Sequence, residues 1–393
     1  MRLTILGGGG FRVPLVVGAL RDPSSGVDTV VLHDTDPARV RTVGAVLAET
    51  ATGSGGPEIV VEDDLDAALR GADFVFSAIR VGGLRGRTSD ERSALAQGVL
   101  GQETIGAGGV CYGLRTVPVA VRIADTVRRV APHAWVINFT NPAGMVTEAM
   151  SQVLGDRVIG ICDSPVGLFR RVARALGVDA GEAWFDYAGL NHLGWLRRVL
   201  VDGQDVLPGL LADDAALGSF EEGRLFGADL LRTLGAIPNE YVYYYVHTDD
   251  AIRSITSAPA TRGEFLLAQQ EAFYAAGDAP GAAQRWEQTR LERETTYMAE
   301  SREASGAGER DARDLDGGGY DQVAIAVMRA MAADEQTSLV LNVRNRGAVP
   351  GLDADAVVEV PCLVGRNGAH PLATGGWTGS AGGAAGSAGE AVG

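Results

Sequence analysis

The sequence has few cysteines, no long apolar run and no basic run. The three cysteines, Cys111, Cys162 and Cys362, are far apart, so we expect no disulfide framework and first interpret each as a small buried apolar residue. No apolar span reaches the about 18 residues of a membrane helix, and the apolar run before the first glycines is too short for a signal peptide. The sequence therefore predicts a soluble, cytoplasmic protein with no membrane partner.

Positive charge is also scarce, with 34 basic against 50 acidic residues and a net charge of -16. Such an excess repels nucleic acid and anionic lipid, so neither is an expected partner. An anionic metabolite would still bind where a few arginines or helix N-termini converge. The length of 393 residues and the 46% hydrophobic content suit two packed domains.

Short β-branched runs alternate with helical stretches in the first third of the chain, which predicts a Rossmann-type, doubly wound parallel sheet. The strands are predicted at 3–6, 29–32, 59–62, 74–79, 135–139 and 158–161. Later segments predict an α+β domain, with helices at 165–176, 207–234, 262–307 and 321–333, a hairpin at 186–201, and strands at 338–343 and 357–360. We expect domains at 1–165 and 166–373, and a disordered tail of Gly, Ala and Ser at 374–393.

Four consecutive glycines follow the first predicted strand and precede the first helix: Gly7, Gly8, Gly9 and Gly10. Glycines in this context permit a tight turn and a close approach of the backbone to a pyrophosphate. Asp34 ends the second strand, where a carboxylate accepts hydrogen bonds from a ribose and repels a 2′-phosphate. The pattern favours NAD over NADP, and the alternative is a glycine-rich turn that binds another nucleotide or none.

A cysteine and a histidine follow predicted strand ends, in GICDSP and GLNHLGW. A thiolate from Cys162 and an imidazole from His192 can together hold a borderline divalent ion. Because 29 residues lie between them, the spacing leaves a buried apolar cysteine and a metal ligand both open.

Four of 13 residues in the segment 80–92 are arginines: Arg80, Arg85, Arg87 and Arg92. They could fold over an anion or form a solvated charged loop. The next segment, GQETIGAGG at 101–109, is expected to be a loop whose backbone a ligand approaches closely. Asn141, after the fifth strand, suits a sugar or ribose hydroxyl or a simple turn. The tyrosines of 241–245 predict packing, although one beside a metal could act as a base.

These segments occur in one order, and the order resembles family 4 of the glycoside hydrolases from residue 1 to about residue 371. The resemblance is carried by ILGGGGFRVP, IRVGGLRGRTSDE, GQETIGAGG, NFTNPAG, GICDSP, LNHLGW, NRGAVPGL and VVEVPCLV. Asp163 after the cysteine resembles the 6-phospho-β-glucosidase branch. Family members run further at the C-terminus, so this chain is expected to be short there.

The resemblance implies a lactate/malate dehydrogenase-like fold and a role for each matching residue. The glycines 7–10, Phe11 and Asp34 would bind NAD, and Cys162 and His192 would hold manganese or another divalent metal. Arg87, Glu103, Asn141 and Asp163 would contact a phosphorylated sugar, and Tyr241 would be the catalytic base. A homodimer or homotetramer is implied as well.

The implied reaction oxidises C3 of a 6-phospho-β-glucoside with NAD, removes the C2 proton, eliminates the aglycone, adds water and re-reduces the ketone. The substrate would be a phosphorylated disaccharide or aryl glucoside, and glucose 6-phosphate a product. Three alternatives stay open: a lactate/malate-type dehydrogenase, another family-4 specificity (α-galactosidase or glucuronidase), and an inactive NAD-binding relic.

Overall fold

The computed structural model describes residues 1–51, 55–315 and 319–375, and the statements below refer to these ranges. The predicted tail, 374–393, falls outside them from residue 376 onward. Within the described ranges, no helix is both long and apolar enough to cross a bilayer.

The first half alternates strands and helices as the sequence predicted. Its elements are β1 (Arg2–Leu6), α1 (Val13–Ala19), β2 (Thr29–His33), α2 (Pro37–Thr50), β3 (Glu58–Val61), α3 (Leu65–Leu69), β4 (Phe74–Ser77), α4 (Gly83–Leu95), α5 (Gly106–Val130), β5 (Trp135–Asn138), α6 (Ala143–Leu154) and β6 (Val158–Gly160). These six strands are parallel in the order β3-β2-β1-β4-β5-β6, which confirms the doubly wound sheet.

The second half is mixed, with a hairpin, many short helices and late strands. Its elements are α7 (Ser164–Leu176), β7 (Trp184–Leu190), β8 (Leu193–Val201), β9 (Gln204–Asp205), α8 (Leu207–Ala212), α9 (Asp214–Gly218), α10 (Glu221–Phe226), α11 (Ala228–Leu234), β10 (Ile237–Pro238), α12 (Tyr243–Val246), α13 (Thr248–Ser257), α14 (Arg262–Ala275), α15 (Ala282–Thr295), α16 (Ala299–Ser305), α17 (Tyr320–Ala333), β11 (Thr337–Arg344), β12 (Val357–Gly365) and β13 (Gly368–Pro371).

The sheet continues from the first half into the second. β6 pairs antiparallel with β11 at Gly160 and Asn342, β11 pairs with β12, and β12 meets β7 at Glu359 and Gly189. Strands β8 and β10 extend the same sheet. Late strands thus lie beside the end of β6, where Cys162 follows. The domain boundary near residue 165 remains a proposal.

Several local predictions were wrong. The predicted loop 101–109 already contains the start of α5 at Gly106. Of the two alternatives left open for 80–92, the solvated loop does not hold, because α4 begins at Gly83. The helix predicted over 207–234 is four short helices, since Asp213 caps a new one and Gly227 adopts a positive φ of 75°. The segment 262–307 likewise divides into α14, α15 and α16.

The cysteines have different environments, and no disulfide links them. Cys162 and Cys362 are buried as expected, but Cys111 is exposed on the outer face of α5. The sequence pattern there did not distinguish the inner from the outer face, because both faces of this helix carry small or apolar residues.

Candidate active site

One cleft of about 490 Å³ opens at the carboxyl ends of the parallel strands. Helices α14 and α15 and the β7–β8 turn contribute to its other walls. Most of the predicted site residues line it: Gly10, Phe11, Arg87, Glu103, Asn141, Cys162, Asp163, His192 and Tyr241. The tertiary structure therefore brings together residues that are up to 231 positions apart in the chain.

The glycine turn is built so tightly that side chains do not fit. Gly7 has a φ of +87°, and a Cβ on it would lie 2.6 Å from the carbonyl oxygen of Ala78. A Cβ on Gly9 would lie 2.7 Å from Cβ of Arg39. The N–H groups of Gly7 and Gly8 both donate to the carbonyl of His33 at 2.9 Å, which fixes the turn against β2. The local sequence therefore dictates a rigid turn at the start of α1.

Asp34 lies at the end of β2 beside this turn and does not line the main cleft. Its Oδ2 accepts the N–H of Gly9 at 2.9 Å, and its Oδ1 accepts the N–H of Asp36 at 3.0 Å. Phe11 is 6% exposed and packs edge-on against Phe273, with ring centroids 5.3 Å apart. Phe11 thus anchors α15 and α14 to the turn as well as lining the cleft.

His192 and Cys162 present a nitrogen and a sulfur donor to the same cleft. Nδ1 of His192 lies 2.9 Å from Oγ1 of Thr104, which leaves Nε2 for another partner. Burial lowers the pKa of His192 to about 4, so the imidazole is neutral, as a metal ligand must be. Burial, with Glu359 and Asp163 nearby, raises the pKa of the Cys162 thiol, so its deprotonation requires a cation.

The donor set of Cys162 and His192 suits a borderline divalent metal. In the described part of the chain, no three His, Cys, Asp or Glu side chains converge into a metal-binding group. Two protein donors leave coordination positions open, and a substrate's oxygens could occupy them. These two donors would suit a metal site that is completed by its substrate rather than a closed structural site.

Tyr241 is the member of the 241–245 cluster that lies against His192. The two rings are stacked, with centroids 3.6 Å apart and planes 5° apart. The Tyr241 hydroxyl shares a hydrogen bond with Tyr297, and burial is the main cause that raises its pKa. Tyr243 is buried in the core and Tyr245 is 47% exposed, so neither faces His192. The packing role predicted for the cluster holds for Tyr243.

Arg87 is buried between two carboxylates, with only 7% of its surface exposed. Its Nε donates to Glu91 at 2.7 Å, and its NH1 donates to Glu103 at 2.8 Å. Arg80 forms a second ion pair with Glu103. Burial alone would raise the pKa of Glu103, but the charges of Arg80 and Arg87 hold it below the ordinary value.

The four predicted arginines of 80–92 thus divide into two pairs. Arg80 and Arg87 face the cleft, whereas Arg85 and Arg92 lie on the surface and pair with Glu271 and Glu264. The sequence pattern missed this division because the segment is a helix, and a helix directs residues two apart to different sides.

Two further arginines line the cleft, Arg262 and Arg293. No sequence signal indicated Arg262, whereas Arg293 ends the segment 289–293, which loosely resembles the family's basic segment near the phosphate. Both are half-buried, and no ion pair involves either of them within the described ranges. Burial, together with the charges of Arg12 and Arg262, lowers the pKa of Arg293 to about 9. Glu294 lies near both arginines and Glu300 near Arg262, but burial and the neighbouring arginines outweigh them. Such crowding of cations favours an anionic ligand. No local motif marks Arg262, since α14 meets the cleft only in the folded chain.

The cleft contrasts with the rest of the protein in its charge. Eleven arginines and seven acidic residues line it, although the whole chain has a net charge of -16. Arg12, one of the eleven, lies 3.5 Å from both Asp163 and Glu294. Asn141 lines the cleft, and its Oδ1 accepts the N–H of Ala143 at 3.2 Å. The site can therefore bind a small anionic molecule rich in hydroxyl groups.

Comparison with known proteins gives a consistent family. The model of the family 4 glycosyl hydrolases matches residues 2–178, and that of the family 4 glycosyl hydrolase C-terminal domain matches residues 187–381. A 6-phospho-β-glucosidase of Escherichia coli is 34% identical over 78% of this chain and 66% of its own length. The 6-phospho-α-glucosidase 1 of Lacticaseibacillus paracasei is 30% identical over 94% of this chain and 83% of its own length.

Solved structures agree with this result. The 6-phospho-β-glucosidase of Thermotoga maritima, solved with manganese, NAD+ and glucose-6-phosphate, has a TM-score of 0.78 at 26% identity and covers 95% of this chain and 83% of its own. A lactate dehydrogenase of Eimeria maxima, at 13% identity and a TM-score of 0.56, covers 100% of this chain and 93% of its own, and shows a shared fold alone. The predicted fold class and family are confirmed, and the chain belongs to family 4 of the glycosyl hydrolases.

Proposed function

We propose that this glycosyl hydrolase cleaves 6-phosphoglucosides, with the β anomer as the expected substrate, and that it depends on NAD and a divalent metal such as manganese. The observation that supports the proposal is the pair of arginines without an ion pair, Arg262 and Arg293, in the same cleft as Cys162, His192 and Tyr241. The guanidinium groups of Arg262 and Arg293 offer bidentate donors to a phosphate dianion. A neutral glucoside would leave these cations without a counter-charge.

The residues that would hold the cofactors are those predicted from the sequence. The N–H groups around Gly10 and the start of α1 would hold the pyrophosphate of NAD, and Asp34 its ribose. Sγ of Cys162 and Nε2 of His192 would hold the metal. When bound, these groups would supply a hydride acceptor and a Lewis acid for the sugar's oxygens.

The chain's own side chains account for the remaining chemistry. Tyr241, beside His192, would act as its phenolate, which the positive charge of a metal held by Cys162 and His192 would favour, and would take the C2 proton on that oxygen. Tyr297 would hydrogen-bond to the same oxygen. Arg87 and Asn141 would orient the sugar, with Glu103 holding Arg87 in place. Asp163 faces the same cleft. A pair of catalytic carboxylates is not required for this route.

Two other parts of the proposal do not depend on the site geometry. Substrate and cofactor both carry phosphate charges that bilayers exclude, so the cytoplasm is the proposed compartment. A homodimer or homotetramer is proposed on the family resemblance alone.

Replacing Asp34 by alanine is expected to raise the KM for NAD about tenfold, since one charge-assisted ribose contact is lost. The preference for NAD over NADP should fall as well, because the repulsion of a 2′-phosphate disappears. The KM values for both cofactors measure this. Asp36→Ala is the control: Asp36 caps α2 by accepting N–H groups of Ala38 and Arg39, so its loss should cost about 1 kcal/mol of stability without changing cofactor preference. An unchanged preference in Asp34→Ala would contradict the NAD assignment.

The proposed function is tested with p-nitrophenyl β-glucoside 6-phosphate, its α anomer and the unphosphorylated glucosides, each with and without NAD and manganese. We expect nitrophenol release from the phosphorylated β anomer only when both cofactors are present. Release from the α anomer alone would overturn the proposed preference for the β anomer. The p-nitrophenyl galactosides and glucuronides are assayed in parallel, and release from these alone would overturn the proposed glucose specificity. NAD binding without release from any glycoside would indicate an inactive relic.

A further inference from the structure

We propose that Glu359 is a positioning residue that holds Cys162, His192 and Tyr241 in one arrangement. This inference rests on the proposed function, in which those three residues bind the metal and remove a proton. Glu359 lies on β12, is 1% exposed and does not line the cleft. Its two carboxylate oxygens accept three side-chain hydrogen bonds, each of which leads to one of the three residues.

The first connection reaches His192. Nδ2 of Asn191 donates to Oε1 of Glu359 at 3.1 Å. The next residue, His192, has a φ of +63°, a left-handed conformation that non-glycine residues seldom adopt. The turn is also tight at Gly189, where an added Cβ would lie 2.3 Å from the carbonyl oxygen of Leu193. The hydrogen bond to Glu359 therefore stabilises a turn whose backbone conformation is energetically unfavourable.

The second connection reaches the strand before Cys162. Nδ2 of Asn342 donates to Oε1 of Glu359 at 2.9 Å. Asn342 pairs with Gly160 of β6, and a Cβ on Gly160 would lie 2.8 Å from Cβ of Asn342. Because Asn342 and Gly160 are packed this closely, a shift of Asn342 would displace β6. Cys162 follows Gly160 by two residues, so it would be displaced as well.

The third connection reaches Tyr241 in two steps. The Tyr187 hydroxyl donates to Oε2 of Glu359 at 3.1 Å and accepts from Nδ2 of Asn239 at 2.8 Å. Oδ1 of Asn239 accepts the backbone N–H of Tyr241 at 3.0 Å. Tyr187 and Asn239 are fully buried, so no solvent replaces a lost bond. The orientation of the Tyr241 backbone thus depends on the same carboxylate.

A carboxylate is required at this position because both of its oxygens must accept. A glutamine has a single accepting oxygen. With that oxygen toward Asn191 and Asn342, the Tyr187 hydroxyl loses the acceptor of its proton, and with it toward Tyr187, the two amide groups lose theirs. In either orientation the bonds that remain lose the negative charge of their acceptor. Glu359→Gln therefore keeps the volume but disrupts at least one of the three connections. A carboxylate that merely stabilised the sheet would affect unfolding, whereas a positioning residue affects metal binding and turnover as well.

The experiment compares wild type, Glu359→Gln and the control Glu222→Gln, all at full length. Glu222 is also fully buried, but its hydrogen bonds go to Arg171 of α7 and not to the β7–β8 turn. Manganese affinity is measured from the paramagnetic resonance of free Mn²⁺, alongside kcat, KM and thermal unfolding. We expect Glu359→Gln to weaken manganese binding about 10- to 100-fold and to lower kcat by a similar factor, with a smaller change in KM. Glu222→Gln should lose stability but keep its manganese affinity.

Two further variants separate the connections. Tyr187→Phe cuts only the connection to Tyr241, so it should lower kcat and leave manganese affinity within about threefold of wild type. Asn191→Ala cuts only the connection to His192 and should weaken manganese binding. If Glu359→Gln does not fold, Asn191→Ala tests the inference in its place. The inference is overturned if folded Glu359→Gln keeps the manganese affinity and the kcat of wild type. It is also overturned if Asn191→Ala keeps the manganese affinity of wild type.

A structural readout keeps this inference distinct from the proposed function. Amide hydrogen exchange at 190–193 should be faster in Glu359→Gln than in wild type and Glu222→Gln, with or without metal. If wild type binds no manganese and cleaves no glycoside, the proposed function fails, and the exchange data alone decide whether Glu359 holds the turn. Unchanged exchange would reject that role.

Discussion

Substitution of Cys162 by alanine is expected to abolish manganese binding and to lower turnover of 6-phosphoglucosides by about 10³-fold, because a metal acting as a Lewis acid supplies several kcal/mol. Among the described residues that line the cleft, Cys162 is the one cysteine and His192 the one histidine, so a single replacement removes half of the proposed protein ligands. The measurements are the manganese content after dialysis and kcat on p-nitrophenyl β-glucoside 6-phosphate. Addition of a chelator to wild type should reproduce the loss.

The other two cysteines are matched controls for this prediction. Cys111→Ala changes an exposed side chain and should leave activity and stability unaltered. Cys362→Ala removes a buried sulfur that does not line the cleft and should reduce stability only. Retention of manganese and turnover by Cys162→Ala would reject the metal site.

Replacing Arg87 by methionine has the second large expected effect, on stability and substrate recognition together. Arg87 is 7% exposed and pairs with Glu91 and Glu103. Its loss therefore removes a positive charge from beside two carboxylates that are largely shielded from solvent. Breaking a buried ion pair in this way costs about 3–5 kcal/mol. We also expect the KM for the phosphorylated substrate to rise at least about tenfold, the usual effect of losing one charge-assisted contact.

Urea unfolding and the ratio of kcat/KM for phosphorylated and unphosphorylated substrate measure the two effects. Arg85→Met is the control from the same helix: Arg85 is 78% exposed and its removal should change stability by no more than about 0.5 kcal/mol. Equal stabilities of the two variants would contradict the buried ion network around Arg87.

Features set by neighbouring residues were predicted well. The strand, glycine turn and helix at the N-terminus follow from local apolar runs and from glycines that alone tolerate the turn at Gly7. The ordered motifs carried enough specificity to identify the family, and they placed Cys162, His192, Arg87 and Asn141 in what proved to be one cleft.

Features set by helix faces were predicted poorly. The arginines of 80–92 divide between cleft and surface because the segment is helical, and its polar composition hid the helix. Cys111 is exposed for a related reason, since apolar residues occur on both sides of α5. A sequence without apolar periodicity does not say which face packs inward.

What the sequence by itself determined was the parallel sheet, its glycine turn, the family and the chemical types present at the site. What only the tertiary structure decided was which groups meet: that Tyr241 stacks on His192, that Arg262 and Arg293 crowd the cleft, and that Glu359 supports the turn 168 residues before it. The physical reason is that such contacts follow strand order. The pairing of β6 with β11 and of β12 with β7 joins segments that no local pattern connects.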